Sequence, residues 1–416
     1  MKLVYHSRAV IHSPFIPALP VAKITQGRHL RAGFPGIEKI GEVTERVGLE
    51  KALVGLWPYI EIGDINLDSK SINFKDKKSI KGAVIAPKDS ILVSRVRPTR
   101  GAITLIDKNY PISSAFTILK VKLTEVTSKF LFYQLSNLKP FFIYLQSKQR
   151  GSNYPSIRES DILNFKILLP PLTIQKRIVE RLDKIAKAQK LNDELISKTD
   201  ELFQSLLHKE LNPTGKNWGA KMLGELFDIT SSKRVFESEW TKQGVPFYRA
   251  REIVSLVNGQ EHRTPIFISE EMFKEYKQKY GVPQEGDILV TGVGTIGISY
   301  VVRKTDKFYF KDGNIIWFKQ IPKSSVYSKF VGYFFQTLFF KNQIRATSAG
   351  ATVLTYTIQN AKKTRIPLPP FKIQEQIVAK LSAVQDYKKQ LLEQKTKLKE
   401  LFDSVLHKSM SGELDK

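Results

Sequence analysis

The chain has 416 residues, and its 66 Lys and Arg residues exceed its 40 Asp and Glu residues, giving a net charge of +26 at pH 7. A surplus of this size indicates a polyanionic partner, with nucleic acid favoured over an anionic membrane surface. The sequence has no cysteine, which excludes disulfides, thiolate nucleophiles and cysteine-ligated metal sites.

The N-terminal stretch MKLVYHSRAVIHSPFIPALPVAK has an apolar middle that is interrupted by His12, Ser13 and three prolines. We therefore expect an extended lead-in rather than a signal peptide. No apolar run in the sequence approaches the roughly 20 residues of a membrane span, so we expect a cytoplasmic protein.

Residues 1–168 are predicted to form a first, mainly β domain. After residue 35, short runs of alternating apolar residues such as GAVIAPKDSILVSRV are separated by turn residues, which is typical of strands. A helix-like segment, TSKFLFYQLSNLKPFFIYLQSK, follows near the end of this domain. A length above 400 residues also predicts more than one domain.

The segment that begins LPPLTIQKRIVERL at Leu169 occurs a second time, as LPPFKIQEQIVAKL at Leu368. The two copies stay aligned without a gap to HK at 208–209 and 407–408, so the chain contains one duplicated unit. A Pro-Pro pair suits the start of a helix, and Thr173 is a candidate N-cap for the first copy. Each copy of roughly 35 helical residues predicts a rod of about 50 Å.

Apolar residues recur in both copies at steps of four and three, the spacing of a coiled-coil seam. Polar residues interrupt the seams, namely Gln189 and Asn192 in the first and Lys388 and Lys395 in the second. Two exposed helices packing on their own domains remain an alternative, but two copies in one chain favour mutual pairing. The residues assigned to the spacer and to partner docking are Pro170, Pro171, Gln175, Ile178, Leu182, Phe203, Pro369, Pro370, Gln374, Ile377, Leu381 and Phe402.

The rest of the chain repeats the plan of the first half with other residues. GDILVTGVGTIG (286–297) corresponds to DSILVSRVRPTRG (89–101), and SKFVGYFFQT (328–337) to SKFLFYQLSN (128–137). The predicted fold is α+β, with two mainly β domains and two long helices forming an antiparallel coiled coil, related by a pseudo-twofold repeat. The predicted boundaries are a first domain at 1–168, a first helix at 169–212, a second domain at 213–367, a second helix at 368–411, and a tail at 412–416.

Two motifs resemble catalytic or cofactor sites. Gly292, Gly294 and Gly297 match a dinucleotide fingerprint, but a helix should open at the third glycine, and ISYVVRK follows instead. We predict a tight strand-to-strand loop. His208 and His407 lie at equivalent helix ends, where basic groups complement the exposed carbonyls, and we predict a structural role. We find no HExxH or GxSxG motif, no glycine-rich phosphate loop ending in GKS or GKT, no NPPY-like tetrapeptide of an amino-methyltransferase, and no metal site.

Basic and polar residues recur in the predicted loops at matching places in the two halves. Arg reaches guanine bidentately, Asn reads adenine, and Lys or Thr holds phosphates. Each one alone is more often a solvated surface residue, and the recurrence is what favours binding. The candidate DNA-binding residues are Arg95, Arg97, Arg100, Lys148, Arg150, Asn153, Tyr154, Lys233, Arg234, Arg249, Arg251, Thr291, Thr295 and Thr352.

The duplicated LPP–x–x–x–Q–x–x–I segments, with ITSSKRV, GVPFYRAREI and GDILVTGVGTIG, resemble the specificity subunits of type I restriction–modification systems. The resemblance covers nearly the whole chain and is weakest over the first 35 residues. It implies two target recognition domains that each read half of a bipartite double-stranded DNA site, with the paired helices setting the gap.

The resemblance also implies a non-catalytic subunit of a bacterial defence complex that docks modification subunits, two in number, and restriction subunits. S-adenosylmethionine, ATP and Mg²⁺ would then be used by those partners and not by this chain. Two alternatives stay open: a stand-alone DNA-modifying enzyme with an unrecognised site, and a regulatory homologue that does not restrict DNA.

Overall fold

The computed structural model describes residues 36–48, 58–74, 83–259, 265–322, 324–347 and 355–411. The N-terminal lead-in and the tail 412–416 lie outside these ranges. The chain divides into two compact units, the first formed by Met1–Lys187 with Lys399–Lys416 and the second by Ala188–Leu398. Both divisions fall within the two long helices, α4 at Leu172–Leu211 and α11 at Phe371–Ser411, so each unit contains part of each helix.

The first unit is a small sheet domain with helices packed on it. Its elements in chain order are β1 Gly36–Lys39, β2 Thr44–Glu45, β3 Val84–Ala86, β4 Ile91–Ser94, β5 Ile103–Leu105, β6 Tyr110–Ile112, β7 Phe116–Val121, α1 Ser128–Asn137, α2 Lys139–Lys148, α3 Glu159–Leu163 and β8 Lys166–Leu169, with 3-10 turns at Ile40–Glu42, Ile62–Asp64 and Pro98–Arg100.

The central sheet of this unit is antiparallel, in the order β2-β7-β4-β5. Strand β4 is buried at all four positions, which is typical of a strand with both faces covered. The predicted helical segment is two helices, because Leu138 is extended and Pro140 falls in the first turn of α2, where its missing N–H costs nothing.

The second unit repeats this arrangement. Its elements are β9 Gly219–Met222, α5 Leu223–Leu226, β10 Phe227–Thr230, β11 Val245–Tyr248, α6 Ala250–Val257, β12 Phe267–Ile268, α7 Glu270–Lys279, β13 Ile288–Thr291, β14 Ser299–Val301, β15 Tyr309–Phe310, β16 Ile315–Gln320, α8 Ser328–Phe334, α9 Leu338–Thr347, α10 Ile358–Lys363 and β17 Arg365–Leu368, with a 3-10 turn at Glu237–Glu239.

The strand order of the second central sheet, β10-β16-β13-β14, is that of the first. Each unit also has a two-stranded antiparallel ladder just before its long helix, β1 with β8 and β9 with β17. The registers match as well, because Gly36 pairs with Leu169 and Gly219 pairs with Leu368. The predicted internal repeat is confirmed at the level of individual strand pairs.

The long helices run antiparallel within each unit. In the first, Leu182 of α4 and Leu406 of α11 belong to one buried cluster. In the second, the Asn192 amide donates to the Leu391 carbonyl at 3.0 Å, and Lys388 pairs with Asp200 at 2.5 Å. Residue numbers that increase along α4 therefore pair with residue numbers that decrease along α11. The predicted antiparallel coiled coil is confirmed.

The predicted N-cap at Thr173 is wrong. Helix α4 begins at Leu172, and the N–H groups of Ile174 and Gln175 both donate to the carbonyl of Pro171, at 2.9 and 3.0 Å. The second copy starts in the same way, with Pro370 accepting from Ile373 and Gln374. The second proline of the pair therefore sets the helix start, which explains why the Thr is not repeated at position 372.

Candidate nucleic-acid interface

In the first unit, two loops distant in sequence form one surface. The chain leaves β4 at Ser94 and turns through Pro98–Arg100 before β5. The segment after α2 returns alongside it: the Arg97 N–H donates to the Pro155 carbonyl at 2.7 Å, and the Ile157 N–H donates to Arg95 at 2.9 Å. The predicted residues from 95 to 100 and from 148 to 154 are therefore brought together.

Arg97 and Tyr154 form a cation–π pair at this surface. The Arg97 guanidinium carbon lies 5.0 Å from the centroid of the Tyr154 ring, within the range of a cation–π contact. The Tyr154 side chain is 72% exposed. Arg97 has a left-handed backbone, with φ 47° and ψ 50°, a conformation that is uncommon for residues other than glycine.

The neighbouring basic residues are held in different ways. Arg95 is half-buried and donates from its guanidinium to the Ser114 carbonyl. Arg150 forms an ion pair with Asp161 at 2.7 Å, and this guanidinium, with the Arg158 N–H, lowers the pKa of the Asp161 carboxyl. Lys148 lies over Tyr144 at 5.4 Å, while Arg100 and Asn153 are exposed.

The second unit places Lys233 and Arg234 on the loop that follows β10. The Lys233 ammonium lies 5.4 Å from the centre of the Tyr280 ring, and its backbone N–H donates to the Tyr309 hydroxyl at 2.9 Å. Burial raises the pKa of Tyr309 to about 12, although the donated N–H acts in the opposite direction. Arg234 pairs with Asp312 at 2.8 Å. Lys233 therefore has its backbone fixed by Tyr309 and its ammonium placed over the ring of Tyr280.

Arg249 and Arg251 share one carboxylate. Glu252 is 5% exposed and accepts from Arg249 at 2.8 Å and from Arg251 at 2.6 Å. The Arg249 guanidinium also lies 5.8 Å from the Trp240 ring. The trio carries a net charge of about +1 rather than +2, and the buried carboxylate fixes the direction of both guanidinium groups.

Thr291 is wrongly placed among the DNA-binding residues. It is fully buried, its hydroxyl donates to the Thr295 carbonyl, and it accepts from the Ile298 N–H at 3.1 Å. It closes the loop between β13 and β14, which confirms the predicted strand-to-strand loop and excludes a dinucleotide fingerprint. Thr295 is exposed on that loop, and Thr352 lies outside the described residues.

The glycine loop and the arginine loop occupy equivalent places. Gly292 donates to Asn314 at 2.9 Å and accepts from Tyr356 at 2.8 Å. Arg95 donates to Ala115 at 2.9 Å and accepts from Ile157 at 2.9 Å. The backbone frame is conserved between the units while the side chains it presents are different.

Gln175 and Gln374, predicted as spacer and docking residues, are fully buried. The Gln175 amide accepts from the Thr127 N–H at 2.9 Å and donates to the carbonyls of Glu125 and Pro170 at 2.9 and 2.8 Å. Gln374 repeats all three bonds, with Tyr327, Ser325 and Pro369. Each glutamine fastens the start of its helix to the loop that precedes the α1 or α8 helix, so neither is free for a partner.

Partner docking was assigned mostly to residues that are buried. Of that predicted set, Pro171 and Pro370 are exposed, and the other members pack inside their own unit. Leu202 and Leu401 are among the exposed apolar residues of the two long helices, at 50% and 49%. The two leucines occupy equivalent positions of the repeat. Each is followed by a buried phenylalanine, Phe203 packed against Tyr333 and Phe402 packed against Tyr133. The sequence shows that the two leucines are identical under the repeat, but only their exposure in the structure distinguishes them from the buried residues of the seam.

Within the described part of the chain, no cluster of three or more His, Asp or Glu side chains has the arrangement of a metal site. Across the same residues, no helix is both long and apolar enough to cross a bilayer.

Comparison with known proteins gives a consistent result. A family model described as the type I restriction modification DNA specificity domain matches residues 40–198 and again 215–401. The chain is 29% identical over 265 residues to a putative type I restriction enzyme specificity subunit of Haemophilus influenzae, a match that spans 61% of this chain and 63% of that protein. It is 25% identical over 393 residues to the MjaVIII specificity subunit of Methanocaldococcus jannaschii, covering 88% of this chain and 87% of the relative.

Two solved structures share the fold. One, described as the structural basis of complex assembly and conformational transition of a type I R-M system, aligns with a TM-score of 0.62 at 23% identity, covering 93% of this chain and all of that one. The S subunit of a type I restriction-modification system from M. genitalium aligns with a TM-score of 0.57 at 16% identity, covering 92% of this chain and 98% of that one.

Proposed function

This chain belongs to the family of type I restriction modification DNA specificity domains, and we propose that it is the sequence-recognition subunit of a type I restriction–modification complex. Each unit reads one half of a bipartite, asymmetric site in double-stranded DNA. The paired helices set the gap between the half-sites. The net charge of +26 supplies the attraction to phosphates that any such reader needs.

One observation carries this proposal: the two units keep the same backbone frame and change the side chains that it presents. The Arg95 and Gly292 loops make equivalent backbone hydrogen bonds. Arg97, Arg100 and Tyr154 extend from the first frame, whereas glycines and Thr295 extend from the second. Two readers of different DNA sequences require this combination, because base readout depends on side chains and register depends on the scaffold.

The helices also offer a means of docking the modification subunits. Leu202 in one unit and Leu401 in the other are half-exposed leucines at equivalent positions. Leu202 and Leu401 are the exposed leucines of the described long helices that coincide under the repeat, and we assign each as an apolar anchor for a partner helix. Two equivalent anchors fit two copies of the modification subunit, and restriction subunits join the same complex.

Chemistry is assigned to the partners in this proposal. The modification subunits use S-adenosylmethionine to methylate adenine, and the restriction subunits use ATP and Mg²⁺. This chain contributes no catalytic group and works in the cytoplasm, where the cellular DNA lies. Its side chains bind and orient the DNA, and its helices hold the enzymes at a fixed distance from it.

The test is co-expression of the full chain with its modification subunit in a host that lacks adenine methylation, followed by genome-wide mapping of methylated adenines. We expect methylation at one bipartite motif with a constant gap. The matched control is the modification subunit without this chain, which should methylate no motif. Methylation that is absent, or that follows a single undivided motif, would contradict the proposal.

A further inference from the structure

Arg97 differs from four other arginines of the two surfaces in how its charge is held. Arg150, Arg234, Arg249 and Arg251 each pair with a carboxylate. Among the described residues, the Arg97 guanidinium has no acidic partner and no hydrogen bond, and its contact is the face of Tyr154. We propose that Arg97 reads a guanine in the half-site of the first unit, and that Tyr154 is its positioning residue. This inference rests on the proposed function.

The contact with Tyr154 leaves the guanidinium equipped for base readout. A cation–π contact uses none of the N–H donors of a guanidinium, so all of them stay available for hydrogen bonds. Two of those donors match the O6 and N7 acceptors that guanine presents in the major groove, which is the commonest specific contact between an arginine and DNA. A guanidinium already bound to a carboxylate has donors occupied, so Arg97 is better suited to a base than Arg150.

The backbone around Arg97 is fixed in a conformation that arginine disfavours. Its φ of 47° lies in the left-handed region, which is unfavourable for a residue other than glycine. The surrounding bonds hold it there: the Arg97 N–H donates to Pro155, and its carbonyl accepts from the Arg100 N–H at 3.0 Å. Strain of this kind persists where the surrounding structure over-determines it, and such sites are concentrated at functional positions.

Tyr154 is the least expected member of the pair. It is an aromatic ring that is 72% exposed, on a loop whose backbone is tied to the arginine loop immediately after the tyrosine, at Pro155 and at Ser156. An exposed tyrosine ring leaves apolar surface in water, and a partner that covers the ring removes that cost. Bound DNA would cover the pair and would remove water from the Arg97 donors.

Arg100 provides a matched control on the same turn. It is exposed, and none of the described residues forms an ion pair with it. It lacks an aromatic support, and we assign it to phosphate. The two roles have different signatures, because loss of a base contact relaxes preference at one base pair, whereas loss of a phosphate contact weakens all sequences alike and lowers the salt slope by about one.

The experiment selects DNA from a library of random duplexes with the full chain co-purified with its modification subunit. The proteins compared are the wild type, Arg97→Asn, Arg97→Lys, Tyr154→Phe, Tyr154→Ala and Arg100→Ala. Asparagine accepts the left-handed backbone, so that variant retains the loop, and circular dichroism checks the fold of each. We expect Arg97→Asn and Tyr154→Ala to lose a guanine preference of about 10- to 100-fold at one position of one half-site. Tyr154→Phe, which keeps the ring, should retain it, and Arg97→Lys should weaken it.

The outcomes separate the inference from the proposed function. If the wild type enriches a bipartite motif and Arg97→Asn enriches the same bases with the same preference, Arg97 does not read a base and the inference is overturned. A loss of preference in Arg100→Ala equal to that in Arg97→Asn would also overturn it. A wild-type protein that enriches no motif would overturn the proposed function itself.

Discussion

At the residue scale, two buried glutamines fasten the long helices to their own units. Each side chain makes three hydrogen bonds with backbone groups. We expect Gln175→Met to leave the Thr127 N–H and two carbonyls without partners, at a cost of about 2–3 kcal/mol of local stability. Hydrogen exchange measured by mass spectrometry should show faster exchange in the peptides around 123–131 and 170–178, and unchanged exchange in 324–332.

The reciprocal variant supplies the control. Gln374→Met should accelerate exchange around 324–332 and leave 123–131 unchanged, and Lys176→Ala, which alters the exposed neighbour of Gln175, should change neither. Equal acceleration in both units from one substitution would show that the glutamines act through the whole fold and not as local fasteners.

At the scale of elements, Asn192 is a polar residue in the seam of the helix pair. It is 3% exposed, its side-chain amide donates to the Leu391 carbonyl, and its side-chain oxygen is buried with no hydrogen-bond partner among the described residues. A buried polar residue at a seam position specifies register at a cost in stability. We expect Asn192→Leu to stabilise the helix pair by about 1–2 kcal/mol, since the desolvated amide is removed.

Protection of the peptides around 188–200 and 386–398 against hydrogen exchange measures that change. Leu391→Ala, which opens a cavity at the facing position, should act in the opposite direction. If Asn192→Leu lowers protection instead, the hydrogen bond from the Asn192 side chain to the Leu391 carbonyl contributes more stability than burial of the polar side chain costs. Asn192 is then a stabilising contact.

The helices and strands could be predicted well from the sequence alone, and the side-chain contacts could not. The two helices were predictable because their spacing and their gap-free duplication repeat one signal twice. The cap was wrong because a local pattern favoured Thr173 while Pro171 accepts the first helical bonds. The assignment of Thr291 to DNA binding was wrong because the sequence does not distinguish the last residue of a buried strand from the first residue of the exposed loop that follows. The contact of Arg97 with Tyr154 joins positions that are far apart in sequence, and no periodicity encodes it.

At the scale of the whole molecule, duplication predicts the number of partners. One proposed docking residue lies in each unit, Leu202 and Leu401, and the two are equally exposed. A carboxylate in a buried apolar contact must be desolvated without a partner, which is strongly unfavourable. We therefore expect Leu202→Glu and Leu401→Glu each to remove one modification subunit from the complex, and the double variant to remove both.

Native mass spectrometry of the complex purified with its modification subunit counts the copies directly. Leu191→Glu is the matched control, because Leu191 is also on α4 and is 51% exposed, while its repeat counterpart is the polar Gln390. A docking site that occurs in both copies of the repeat needs an apolar residue at both equivalent positions. Leu191 does not meet this requirement, so Leu191→Glu should leave both modification subunits bound. Retention of two subunits by the double variant would contradict docking at these leucines. Loss of both subunits from either single variant would instead mean that the two copies bind cooperatively and that the duplicated anchors do not act independently.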